Sequence, residues 1–272
     1  MSAVFGSLAD VRASWNISAT AEIDSTVQFG PNCGQVTIGH GSRIRGGVYI
    51  DAEILEIGDY VTINPGVVIH GESITIGHNC WFGQYSILDG HGGRLSIGNN
   101  VGVGAHSQLW SHMKFGDRLE GCRWHEMSEL VIEDDVWFVG HCLVTPCVAR
   151  RRSMLMLGSM ATKNLEENRT YAGSPAKDVT HVFGPQFLPR SLEDKEADFV
   201  TLVKEWGREG HETSKFVVLQ TPYALSDFRS DVTYFDLATR TYYPTYSRDE
   251  TAFIRFLLYD RAKFVPRLRK LE

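Results

Sequence analysis

The longest irregular stretch of the chain, WSHMKFGDRLEGCRWHEMSELV at 110–131, holds two histidines, His112 and His125. An imidazole ionises near neutral pH, so either ring could take up a proton, deliver one or ligate a metal. A histidine in a loop can equally be a solvated bystander. The shorter segment DGHGGRLS at 89–96 adds Asp89 and His91, which could face a substrate, orient a base or simply make a turn. Further on, Arg150, Arg151 and Arg152 stand together. Exposed guanidinium groups suit phosphates as two-pronged donors, although a charge run is also ordinary solvated surface.

What holds these segments in place is a pattern that counts in sixes. Apolar residues fall at Ile17, Ile23 and Phe29, at Ile38, Ile44 and Ile50, and at Ile57, Ile63 and Ile69. They go on at Ile76, Phe82 and Leu88, at Ile97, Val103 and Leu109, and at Ile132, Phe138 and Val144. Neither a helix nor an isolated strand has that period. A sustained hexapeptide repeat predicts a parallel β-helix, each hexad being a short strand and a turn. Four places after most of the large residues comes a small or β-branched one, which predicts a second inward position. Cys33, Cys80 and Cys142 fall there, so they read as packing residues. Cys122 and Cys147 have no context that argues for a nucleophile.

The count slips after every third hexad, so three hexads make one coil of a three-sided prism. All the slips leave from one corner. It carries one extra residue twice, then 89–96, then 110–131. Loops gathered on one edge of a rigid scaffold are where function concentrates. One conflict stands out. Arg150 lies six places after Val144, where strict register would bury a guanidinium at a cost of several kcal/mol. A slip or bulge is therefore expected, with the repeat resuming near Leu155 or Met156.

The totals exclude some classes. A net charge of -6 gives no global field favouring nucleic acid or an anionic membrane. The opening MSAVFGSLADVRASW has no basic and apolar leader pattern, and no apolar run is long enough to span a bilayer. Five cysteines without a CxxC pair fit a reduced, cytoplasmic setting.

The repeat, followed by IEDDVWFVGHCLVTPCVA, MLGSMATKN and YAGSPAKDV, resembles the hexapeptide-repeat acyltransferases over about residues 17–180. Val136, Trp137, Thr162, Lys163, Gly173, Pro175, Ala176 and Lys177 match that family's ending. Val139 and Cys147 stand where it usually has glycine, and the arginine run replaces an Ile-Gly pair. The resemblance implies a left-handed parallel β-helix, mainly β, working as a homotrimer. It implies transfer of an acetyl group from acetyl-CoA to a hydroxyl or amine of a small acceptor such as a sugar or nucleotide-sugar, with no metal. By order and spacing it makes His112 the general base, with His125 the second choice. Asp89, His91 and Trp137 would face the acceptor. Gly140, Arg150, Arg151, Arg152, Gly158, Lys163 and Lys177 would receive the cofactor.

Two other readings compete. NPGVVIHG and NNVGVGAHSQLWSH look similar to the histidine segments of γ-class carbonic anhydrases, which would make His70, His106 and His112 a zinc triad. Against it, His106 and His112 are a full hexad apart, one side of the prism away from each other. A non-catalytic scaffold is the third reading. After the repeat the chain divides, with a β-helix domain at 1–184 and a small α+β domain at 185–272. In the latter, helices are expected from Ser191 to about Trp206 and over 249–260. Strands are expected at 215–220 and within DVTYFDLATRTYYP. That appendage could close the open end of the β-helix or shape the acceptor site.

Overall fold

The computed structural model describes residues 15–219 and 228–267. They form two compact units that divide between Phe187 and Leu188.

The first unit is a parallel β-solenoid. Its second face stacks the two-residue strands Glu22–Ile23, Arg43–Ile44, Thr62–Ile63, Trp81–Phe82, Gly102–Val103, Trp137–Phe138 and Met154–Leu155, then Thr170–Gly173. The inward residues make one column: Ile23, Ile44, Ile63, Phe82, Val103, Phe138, Leu155 and Tyr171. Every large residue of the repeat from Ile38 to Val144 is buried. Burying each such side chain is worth roughly 1.5–3 kcal/mol, which is why the sixfold count holds so firmly. Cys33, Cys80 and Cys142 are buried in the small inward positions. Cys147 is buried too, and burial pushes its thiol up to about 12, far from nucleophilic use.

The other two faces belong to a single sheet. Tyr49–Ile57, Val68–Ile76 and Ile87–Ile97 run unbroken around the third corner and join the last face of one coil to the first face of the next. The segment read as a loop at 89–96 is therefore strand, with one register shift between Gly90 and Arg94. Only the long excursion leaves the coil. Its base is an antiparallel hairpin of His112–Lys114 with His125–Met127.

The arginine conflict is resolved by shortening one hexad. Ala149, not residue 150, enters the inward column opposite Ile132, and Leu155 resumes the repeat opposite Phe138. Arg150 then lies outside, paired with Glu166 at 3.2 Å.

The first corner is tied by side chains that each accept the backbone N–H of the coil before. Asp59 Oδ1 accepts from His40 N–H at 2.7 Å, and His78 Nδ1 from Asp59 N–H at 2.9 Å. Asn99 Oδ1 accepts from His78 N–H at 2.9 Å, and Asp134 Oδ1 from Asn99 N–H at 2.6 Å. Burial pushes His78 below the usual imidazole range, although Asp59 and Asp134 oppose it. The unfolded chain protonates this residue near pH 6.5, so between the depressed folded value and that point it holds more protons than the folded chain. Stability is then lost as pH falls through that window. His78→Asn keeps an acceptor that does not titrate. Its drop in Tm between about pH 7.5 and about pH 5.5 should be smaller than in the parent protein. An equal drop would assign the acid sensitivity to other groups.

The second unit carries a four-stranded sheet in the order Phe216–Val218, Thr233–Asp236, Thr241–Tyr243 and Val265–Pro266. Its helices, Leu192–Arg208 and Arg248–Leu257, are capped by Ser191 and Ser247, whose hydroxyls accept from Asp194 N–H and Glu250 N–H. Phe199, Trp206, Phe235, Tyr242, Phe253 and Phe264 are buried in this unit. Glu250, fully buried, accepts hydrogen bonds from Thr233 Oγ1, from Thr245 N–H at 2.7 Å and from Tyr246 N–H at 3.1 Å, so this carboxylate is structural. Among the described residues no helix is long and apolar enough to cross a membrane.

Candidate active site

The third corner stacks Asp51, His70, Asp89 and Trp110 in register, each the residue after an inward apolar one. Bare backbone lets the strands approach closely here. A Cβ on Gly71 would stand 2.4 Å from the carbonyl carbon of Gly90, and one on Gly93 would stand 2.1 Å from the carbonyl oxygen of Ser128. The glycines of DGHGG thus let the base of the long hairpin close down over the strand. Asp89 is left only 2% exposed.

Three imidazoles surround that buried carboxylate. His91 lies with Nδ1 3.1 Å from Oδ1, and its own backbone N–H donates to the same oxygen at 2.9 Å. His70 Nε2 is 3.4 Å from Oδ2. His112 Nδ1 is 3.6 Å from Oδ1, shielded from water and without a hydrogen bond. That separation is longer than a hydrogen bond. The rings of His70 and His91 are 4.6 Å apart, and Trp110 packs against the ring of His112 at 5.7 Å. Ser111 Oγ donates to the carbonyl of His91, tying the hairpin to the strand below. Burial pushes His70 below the ordinary imidazole value; Asp89 works in the opposite direction. In chemical terms this is a buried carboxyl group that can steady a protonated imidazole, with His91 half-exposed and His70 and His112 mostly covered.

The structure brings His112, Asp89 and His91 together and adds His70, which sequence reasoning had placed only in a zinc triad. The signal for it was available: Asp51, His70 and Asp89 recur at the same place in successive coils. That triad is not assembled. His106 sits at the second corner in a left-handed turn, its ring stacked between Tyr85 at 5.4 Å and His141 at 4.9 Å. The peptide of His125 pairs opposite Lys114, two residues past His112, while its side chain lies outside the described residues.

The residues expected to meet the cofactor are spread over the prism. Arg150, Arg151 and Arg152 form the first corner, where Arg151 N–H donates to Glu133 and Arg152 reaches Asp135 at 4.0 Å. Gly140 and Gly158 lie at the second corner, with Leu157 packed over the former. Lys163 follows Ala161 at the third corner, above His112 in chain order, and is exposed. Lys177 stands exposed opposite Ala172 in the hairpin that ends the second face. Trp137 projects outward from the second face, 43% exposed.

No protein-family model matches the chain, and no curated protein matches it. Solved structures similar to it include the polysialic acid O-acetyltransferase OatWY, at 19% identity and a TM-score of 0.48, covering 65% of this chain and 88% of that one. A mutant of AntD, an N-acyltransferase from Bacillus cereus solved with dTDP-4-amino-4,6-dideoxyglucose and coenzyme A, is 14% identical with a TM-score of 0.38, covering 68% and 87%. A maltose O-acetyltransferase from Clostridium difficile is 16% identical with a TM-score of 0.32, covering 62% and 71%. These neighbours are named as O-acetyltransferases and an N-acyltransferase.

Proposed function

We propose that the protein transfers an acetyl group from acetyl-CoA to a hydroxyl or amine of a small acceptor, a saccharide or nucleotide-sugar, with His112 as general base. The observation that carries this reading is the buried Asp89 carboxylate beside the shielded Nδ1 of His112. A base needs one nitrogen held and the other free to reach the acceptor. Asp89, 3.6 Å away, closes on the Nδ1 proton as the acceptor binds, and the outer nitrogen removes the acceptor's proton as its oxygen or nitrogen attacks the thioester carbonyl. The imidazolium formed is steadied by the same carboxylate. The tetrahedral oxyanion then collapses, the C–S bond breaks, and the CoA thiolate leaves with the proton that His112 returns. Backbone donors are the groups that would hold the oxyanion. His91, the most exposed of the three rings, and Trp137 are assigned to the acceptor.

Arg150, Arg151, Arg152, Lys163 and Lys177 are assigned to the phosphates of CoA, with Gly140 and Gly158 where the cofactor passes close to backbone. Residues on different corners can serve one cofactor only in a cleft between subunits. This, together with the exposed Tyr85, Trp137 and Leu157 on the second face and corner, supports a homotrimer. The reduced cysteines support a cytoplasmic setting, and the acceptor class supports a place in polysaccharide biosynthesis.

The reading is tested by thiol release from acetyl-CoA against a panel of sugars, nucleotide-sugars and amines. At least one acceptor should raise the rate well above hydrolysis, and Lys163→Glu should raise KM for acetyl-CoA far more than it changes kcat. A panel with no acceptor above background and no thermal shift with CoA would overturn the assignment.

A further inference from the structure

We propose that the third corner also binds a divalent metal ion of the zinc class through His70, Asp89 and His91, and that filling this site silences the general base. The second half rests on the acyl-transfer reading; the first half does not.

The donor atoms of these three side chains all lie within 4.8 Å of one another. His70 Nε2 and His91 Nδ1 stand 3.4 and 3.1 Å from opposite oxygens of the same carboxylate. Ligands about 2.0–2.1 Å from a tetrahedral zinc ion are spaced by roughly 3.3–3.5 Å, so small rotations of existing side chains suffice. Two imidazoles and a carboxylate are a donor set that suits zinc and excludes the hard all-oxygen cations. The scaffold preorganises them, because His70 and Asp89 are register partners on adjacent coils and the N–H of His91 already fixes Oδ1. A fourth position opens toward His112, whose Nδ1 is shielded from water, has no hydrogen bond and lies 3.6 Å from Oδ1. Either that nitrogen or a water would complete the shell. This set differs from the triad of His70, His106 and His112, since His106 is stacked at another corner.

An ion held here takes the lone pairs of Asp89. His112 then loses the carboxylate that orients it, or becomes a ligand itself, and in both cases no longer accepts a proton. The metal is therefore an inhibitor of this chain's chemistry and not its cofactor.

The test titrates chelator-stripped full-length protein with Zn²⁺ against a chromophoric competitor. One ion per chain should bind, with affinity lowered at least about tenfold in His70→Ala and in His91→Ala and unchanged in His106→Ala. Co²⁺ should give the visible bands of tetrahedral coordination, absent in His91→Ala. Unfolding midpoints of the stripped variants near that of the parent would show that the loss is of ligands and not of the fold. No binding by the parent protein, or equal loss in His106→Ala, overturns the site. The binding arm needs no turnover, so it stands or falls apart from acyl transfer. Where thiol release is measurable, Zn²⁺ should abolish it with the midpoint of the binding curve; release unaffected by a bound ion would overturn the inhibition.

Discussion

His112→Ala is expected to lower kcat for thiol release by about 10²–10⁴-fold, the usual contribution of a positioned general base, and to leave the thermal shift with CoA in place. The ring touches Trp110 and approaches Asp89, and it contributes nothing to the buried apolar column, so its loss should cost the fold little. His125→Ala should keep most of the activity. Its peptide lies opposite Lys114, a step further along the hairpin than the residue that faces Asp89. Asp89→Asn should fall between the two, because the amide can still position His112 but cannot steady the imidazolium. Wild-type turnover in His112→Ala would remove the base from the account.

Phe138→Ala should destabilise the solenoid by about 3–5 kcal/mol, read from urea unfolding followed by circular dichroism. The ring is fully buried in the inward column, between Val103 on one coil and Leu155 on the next. Those neighbours belong to separate coils locked by backbone hydrogen bonds, so they cannot collapse into the space. This is also the coil that carries both the end of the long hairpin and the shortened hexad. A loss of about 1 kcal/mol or less would mean that the column repacks, contrary to the rigid prism described here.

How far the sequence disclosed this depends on which force set each feature. The column from Ile38 to Val144 was legible residue by residue, because a periodic pleat repeats the same demand for an apolar side chain at every coil. The slip at Arg150 was legible as a necessity, since a buried guanidinium is intolerable, but not in its form. Only the pairing of Ala149 with Ile132 shows that the chain drops a residue before the arginines and does not bulge at them. The third corner was legible as the edge that carries the insertions, yet 89–96 read as a loop because Gly90, Gly92 and Gly93 are turn-formers in isolation. Their neighbours decide otherwise: the strand below supplies a ladder, and the glycines serve close approach to Gly71 and Ser128. His70 was visible as a residue and invisible as a partner of Asp89, because adjacency across coils depends on the exact length of each coil. The residues expected to meet the cofactor were grouped by order along the chain, whereas the prism sends them to three different corners.

The account stands most directly on one measurement: thiol release by His112→Gly protein in the presence and absence of added imidazole. With the ring removed, turnover should fall by about 10²–10⁴-fold, and imidazole diffusing into the space beside Asp89 should restore part of it in a saturable manner. Turnover that survives the substitution, or that imidazole leaves untouched while CoA still binds, would contradict His112 as the base and with it the mechanism proposed for this corner.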